Sequence, residues 1–161
     1  MRKSVGRKLV FIGAVVLAGI FSSIVYSHCQ IPCGIYGDQA RFDMIAEHIS
    51  TIEKSMKLVT ELSKQDKPDM NQIVRWVRNK DKHADDMSQI LTYYFMAQRV
   101  KPADKADADV YSEYVKKLTL LHNMLVYSMK AKQTTNLATI EKLRSLLAEF
   151  HQVYFSKSSP G

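Results

Sequence analysis

From residue 38 to residue 154, apolar side chains return every three or four positions, and few Gly or Pro residues interrupt them. That spacing puts one apolar stripe on one face of a helix, and it recurs four times. The first stripe is Phe42, Ile45, Ile49, Ile52, Met56, Val59 and Leu62, with Asp38 as its expected N-cap. Lys67-Pro68-Asp69 ends this helix and begins the next. The second stripe runs Ile73, Val77, Lys80, Ala84, Met87, Leu91 and Tyr94, until Pro102 and the polar run to Asp107 interrupt it. The third is Tyr111, Tyr114, Leu118, Leu121, Leu125 and Met129. Beyond Lys132-Gln133-Thr134-Thr135, the fourth is Leu137, Ile140, Leu143, Leu147, Phe150 and Tyr154. Four helices on short connections predict an all-α, up-down-up-down four-helix bundle over 38–157, with 158–161 as a loose tail.

Ahead of the periodic region lies a stretch of different character. Residues 1–8 are basic, and residues 9–26 contain no charge. Val25 and Ser27 then offer small residues at −3 and −1 of a cut before His28. This is the layout of a secretory signal peptide over 1–27, removed by signal peptidase. It predicts export of residues 28–161 to a periplasmic or extracellular destination. The competing reading is a retained anchor, because 18 uncharged residues are long enough to span a bilayer. Four of the positive charges (Arg2, Lys3, Arg7, Lys8) belong to this leader, out of a net charge of +7. The remainder has 19 basic against 16 acidic residues, so a nucleic-acid partner loses its electrostatic basis. With 46% hydrophobic and 24% charged residues, the chain is too apolar for disorder and too charged for a multispanning membrane protein.

Both cysteines follow that cut, in His28-Cys29-Gln30-Ile31-Pro32-Cys33-Gly34-Ile35-Tyr36-Gly37. A Cys29–Cys33 disulfide is the plain reading for an exported pair, although so small a loop would constrain little of the unfolded chain. The other reading is a metal hook over 28–37. Cleavage after Ser27 would give His28 a free α-amine beside its imidazole, and Cys29 and Cys33 would add two thiolates. With the Cys29 amide nitrogen, two nitrogens and two sulfurs suit square-planar Ni(II) or Cu(II). Tetrahedral zinc competes, but it normally wants a fourth side-chain ligand.

His-Cys-x-x-Pro-Cys-Gly-x-Tyr after a leader and before a helical body resembles the nickel-type superoxide dismutase family. The resemblance is tight over His28–Tyr36 and architectural over the rest. It implies an enzyme that converts superoxide to dioxygen and hydrogen peroxide, with one nickel ion per subunit alternating between +2 and +3. It implies nickel ligands at His28 (amine and imidazole), Cys29 (amide nitrogen and thiolate) and Cys33 (thiolate), on a turn shaped by Pro32. Tyr36, and with it Tyr94, would stand at the substrate approach. Gln30 departs from the Asp found in better-known members, which leaves the ligands intact. The resemblance also implies a homohexamer. Family members hold the axial imidazole with a Glu from the first helix and an Arg from the second. Asp43 is the best match for the Glu, and Lys80 stands for the Arg, with Asn79 as the fallback. A lysine lacks the planar fork needed for bidentate holding.

Lys80 has a second reading, as an amine that snorkels out of an apolar stripe. Other cofactor chemistries find no support in the chain. None of His48, His83, His122 or His151 has Glu three residues before it, as a di-iron bundle requires, and they read as surface or satisfied core residues. No Cys-x-x-Cys-His is present for covalent haem. The rival to the dismutase is a membrane-anchored helical bundle with an interaction or sensory role, its leader retained and its cysteines paired.

Overall fold

A computed structural model of the chain describes residues 37–156. Helix α1 is Asp38–Ser63 and α2 is Met70–Gln89, the latter continuing without a break into a π-helical segment, Ile90–Arg99. Helix α3 is Ala108–Gln133 and α4 is Ala138–Phe155. Among the described residues there is no strand, and no helix is long and apolar enough to cross a membrane. The expected leader, 1–27, and the expected hook, 28–37, lie outside the described residues except for Gly37, as does 157–161.

The helix starts follow from local chemistry. The Asp69 carboxylate accepts from the Gln72 amide at 3.1 Å, and the Asp107 carboxylate from the Val110 amide at 3.2 Å. Each satisfies one of the amide donors left over in a first helical turn. Asp38 does not cap α1. Gly37 holds the N-cap position, and Asp38 is the first helical residue, with its side chain turned to other partners.

Contacts between the helices set their order and direction. Asn79 reaches Ser55 at 3.0 Å, Ser128 reaches the Ala84 carbonyl at 2.8 Å, and Arg144 reaches Glu53 at 2.6 Å. Lys116 pairs with Glu149 at 3.4 Å, linking α3 to α4. Residue numbers fall along α2 and its continuation as they rise along α1 (Asp38 with Tyr94, His48 with His83, Ser55 with Asn79). They fall along α3 as they rise along α2 (Lys80 with Ala131, Ala84 with Ser128). They fall along α4 as they rise along α1 (Asp38 with Tyr154, Glu53 with Arg144), so the chain runs up, down, up and down. Phe42, Ile45, Ile49, Ile52, Met56, Leu91, Phe95, Leu121, Leu143 and Phe150 form the centre of one continuous core.

One stripe sits out of phase with the expected one. On α3 the buried residues are Lys117, Leu120, Leu121, Met124, Ser128 and Ala131, whereas Met129 is 57% exposed. The buried face is rotated by about one residue, or roughly 100°, from the all-apolar stripe. Two polar members made this face look unlikely to be inside. Both are satisfied there: Ser128 bonds to Ala84 and lies 2.9 Å from the Ser88 hydroxyl, and Lys117 pairs with Glu113 at 2.6 Å.

Candidate functional site at the start of the first helix

The first helical residue, Asp38, is the hub of a polar cluster. Its Oδ1 accepts from the Tyr94 hydroxyl at 2.5 Å, and its Oδ2 accepts from the Tyr154 hydroxyl at 2.8 Å. Arg99 Nε lies 2.9 Å from Oδ1 as an ion pair, and Arg99 Nη2 donates to the Tyr94 oxygen at 2.9 Å. Three separate stretches therefore converge on one carboxylate: the start of α1, the π-helical segment and the end of α4.

The π-helical winding is what lets Tyr94 and Arg99 share a face. In an α-helix, residues five apart are roughly 140° apart around the axis. Here the Val100 amide bonds to the Phe95 carbonyl at 2.8 Å, five residues back, and the same offset aligns Arg99 over Tyr94. The Arg99 guanidinium lies 5.0 Å from the Tyr94 ring centre, and Arg41 lies 4.9 Å from it. Beneath the cluster, Phe42, Phe95, Phe150 and Tyr154 pack edge to face and tilted, at centroid separations from 4.9 to 5.6 Å.

Both phenols are held in the protonated form. Burial is the largest cause for Tyr154, followed by its bond to Asp38, and together they push its pKa far above the usual phenol value. Tyr94 is raised for the same two reasons, while Arg99 works in the opposite direction. Beside the cluster opens a cavity of about 510 Å³, bordered by Asp38, Arg99, Glu113, Lys117 and Tyr154. Two of its cations face carboxylates: Arg99 meets Asp38, and Lys117 meets Glu113 while its ammonium lies 5.7 Å from the Tyr154 ring centre.

The residues singled out from the sequence do not all meet here. Tyr94 is in the cluster and is 4% exposed. Asp43 is exposed and accepts from Gln39 at 2.9 Å, and Gln39 in turn lies 2.8 Å from His151. Lys80 goes elsewhere. Its ammonium donates to the Ala131 carbonyl at 2.8 Å and to the Lys132 carbonyl, and it pairs with Asp81 at 3.2 Å. Those carbonyls belong to the last turn of α3, which has no intrahelical donors for them. The lysine neither snorkels nor joins Tyr94: it is 3% exposed and stands 14 residues, about 21 Å, up the helix. Asn79, the fallback, bonds to Ser55. Tyr36, His28, Cys29 and Cys33 lie outside the described residues.

Asp38, Arg99 and Tyr154 were not legible as site residues. A tyrosine ending the fourth apolar stripe was the one available signal, since a buried phenol needs a hydrogen-bond partner. Chain connectivity gives the cluster its interest. Tyr36 is two residues from Asp38, so their Cα atoms can be at most about 7 Å apart in any conformation.

Fold and motif together define a small helical bundle whose potential metal ligands immediately precede its first helix. The family model of nickel-containing superoxide dismutase matches residues 23–158, which takes in the hook sequence and all four helices, and the chain belongs to that family. It is an oxidoreductase of the superoxide dismutase kind, with nickel as its metal and superoxide as its substrate. No curated protein and no solved structure matches it.

Proposed function

We propose that the chain is exported, loses residues 1–27, and holds one nickel ion per subunit at the N-terminus so created. The observation that carries this reading is the family match running through His28, Cys29 and Cys33. The donor set fits the metal: two thiolates with imidazole, amine and amide nitrogens suit square-planar nickel better than oxygen-preferring ions. His28 would bind through its amine and imidazole, Cys29 through its amide nitrogen and thiolate, and Cys33 through its thiolate. When bound, nickel supplies one-electron cycling between +2 and +3, so that two superoxide ions and two protons become dioxygen and hydrogen peroxide.

The protein's part is to admit a small anion and keep other groups out. Tyr36 and Tyr94 are the side chains proposed at the approach. Tyr94 cannot readily surrender its proton, because Asp38 accepts it and burial opposes the phenolate. Its role is therefore to hold Asp38 and Arg99 in place beside the approach, as a protonated phenol bonded to both. Asp43 is the carboxylate proposed to steady the His28 imidazole, and the Lys132 and Ala131 carbonyls occupy Lys80. A homohexamer follows from the family reading.

Intact mass and bound-metal analysis on protein exported by its own leader is the test. The expected result is a chain beginning at His28 with about one nickel and dismutase activity. A metal-free chain beginning at Met1, two hydrogens light from a Cys29–Cys33 disulfide, would overturn it in favour of the anchored bundle.

A further inference from the structure

Away from the Asp38 cluster, two histidines meet on the side of the bundle. His48 comes from α1 and His83 from α2, and their Nδ1 atoms are 2.8 Å apart. The rings are tilted by 56° with centroids 5.1 Å apart. Asp86 lies one turn beyond His83, and one donor atom from each of the three residues falls within 4.8 Å of the others. All three are half-buried, so solvent can reach them. We propose that His48, His83 and Asp86 form a second metal site, for a divalent transition ion of the nickel or copper type.

The spacing is close to that of two ligands on one ion. Two nitrogens at adjacent corners of a square, each about 2.0 Å from the ion, are about 2.8 Å apart. At the same bond length, a tetrahedral ion needs them about 3.3 Å apart. The imidazole pair thus already has the separation of two cis ligands in a tetragonal site. The proton inventory agrees. A bond between two Nδ1 atoms requires at least one bare nitrogen, so one ring already carries its proton on Nε2. Shifting the other ring to the same tautomer leaves both Nδ1 lone pairs available to an ion once the rings turn towards it. Lys82 donates to Asp86 Oδ2 at 2.5 Å, and the carboxylate keeps further lone pairs for an ion. Nitrogen and oxygen donors in this number suit tetragonal nickel or copper, with water in the remaining positions.

The site is separate from the hook reading and does not rest on it. His48 is ten residues beyond Asp38, about 15 Å along α1. Its donors are imidazole and carboxylate, whereas the proposed hook supplies thiolates, so the two centres differ spectroscopically.

The test uses the full chain with Cys29→Ser and Cys33→Ser, which removes the thiolates from competition, and titrates it with Ni(II) alone by calorimetry and absorption. The expected result is one nickel per chain with weak ligand-field bands and no thiolate charge transfer. His48→Ala and His83→Ala should each abolish that binding, and Asp86→Asn should weaken it about tenfold. His83→Phe keeps the ring volume between the helices, so loss of binding with helicity retained separates ligation from packing. No nickel taken up by the double-serine chain, or uptake unchanged by His48→Ala and His83→Ala, overturns the proposal and leaves a hydrogen-bonded packing contact. Dismutase activity of the unaltered chain reports on the hook independently.

Discussion

At Asp38 one carboxylate accepts two phenol protons and faces a guanidinium, so a single residue ties the beginning of the bundle to its end. Replacing it with alanine strands two hydroxyls and a cation, and hydrogen bonds to a charged group are worth about 1.5–3 kcal/mol each. A fall in unfolding free energy of about that size is expected for Asp38→Ala, read by urea denaturation. The phenols add a pH dependence whose sign is fixed. Their folded pKa values lie above the unfolded value near 10, so the folded chain binds more protons than the unfolded chain once the pH exceeds that value. The stabilisation they contribute is complete below about pH 10 and is lost as pH rises towards their folded values. Tyrosinate absorbance should therefore show two phenols ionising late. In Asp38→Asn both should ionise earlier, yet still above the ordinary value, because burial is the larger cause and survives the change. Two late phenols unchanged in that variant would remove Asp38 from the account.

Among the elements, periodicity made α1 and α4 legible because their inward faces are almost wholly apolar, from Phe42 to Met56 and from Ile140 to Phe150. It failed where the buried face carries polar groups. On α3 the pattern pointed to Met129 in preference to Met124, since Lys117 and Ser128 interrupt the stripe that is in fact buried. On α2, Lys80 did mark an inward position, but its role is to serve the end of α3, a tertiary partner 51 residues away that no local pattern reveals. The π-helical winding was hidden too, because nothing in the spacing of Tyr94 and Arg99 departs from ordinary helix sequence. The same blindness separated His48 from His83, which lie 35 residues apart and meet only through helix packing. The phase of α3 can be checked directly. Met124→Ala should cost about 2–5 kcal/mol as a core truncation. Met129→Ala should change stability by no more than about 0.5 kcal/mol, as a surface change does. Equal costs in thermal or urea unfolding would mean that α3 faces the core differently.

Taken as a whole, the molecule separates its packing from its proposed chemistry. Among the described residues, the core is built from aliphatic and aromatic side chains contributed by all four helices. The proposed hook ligands all precede Gly37 in sequence, and the bundle begins at Asp38. In small domains whose metal ligands sit in the core, binding free energy is folding free energy, and a chelator unfolds the chain. Here the helices have their own apolar interior, two capped starts and interhelical bonds, so they are expected to fold without the ion. Chelation of the loaded, processed protein should therefore abolish dismutase activity while leaving far-ultraviolet helicity unchanged. Its thermal midpoint should fall only by the linkage owed to a ligand bound to the native state. That linkage depends on free metal concentration, so re-adding nickel in increasing amounts should restore the midpoint gradually. Collapse of helicity on chelation would instead make the hook a structural staple that holds the helices together.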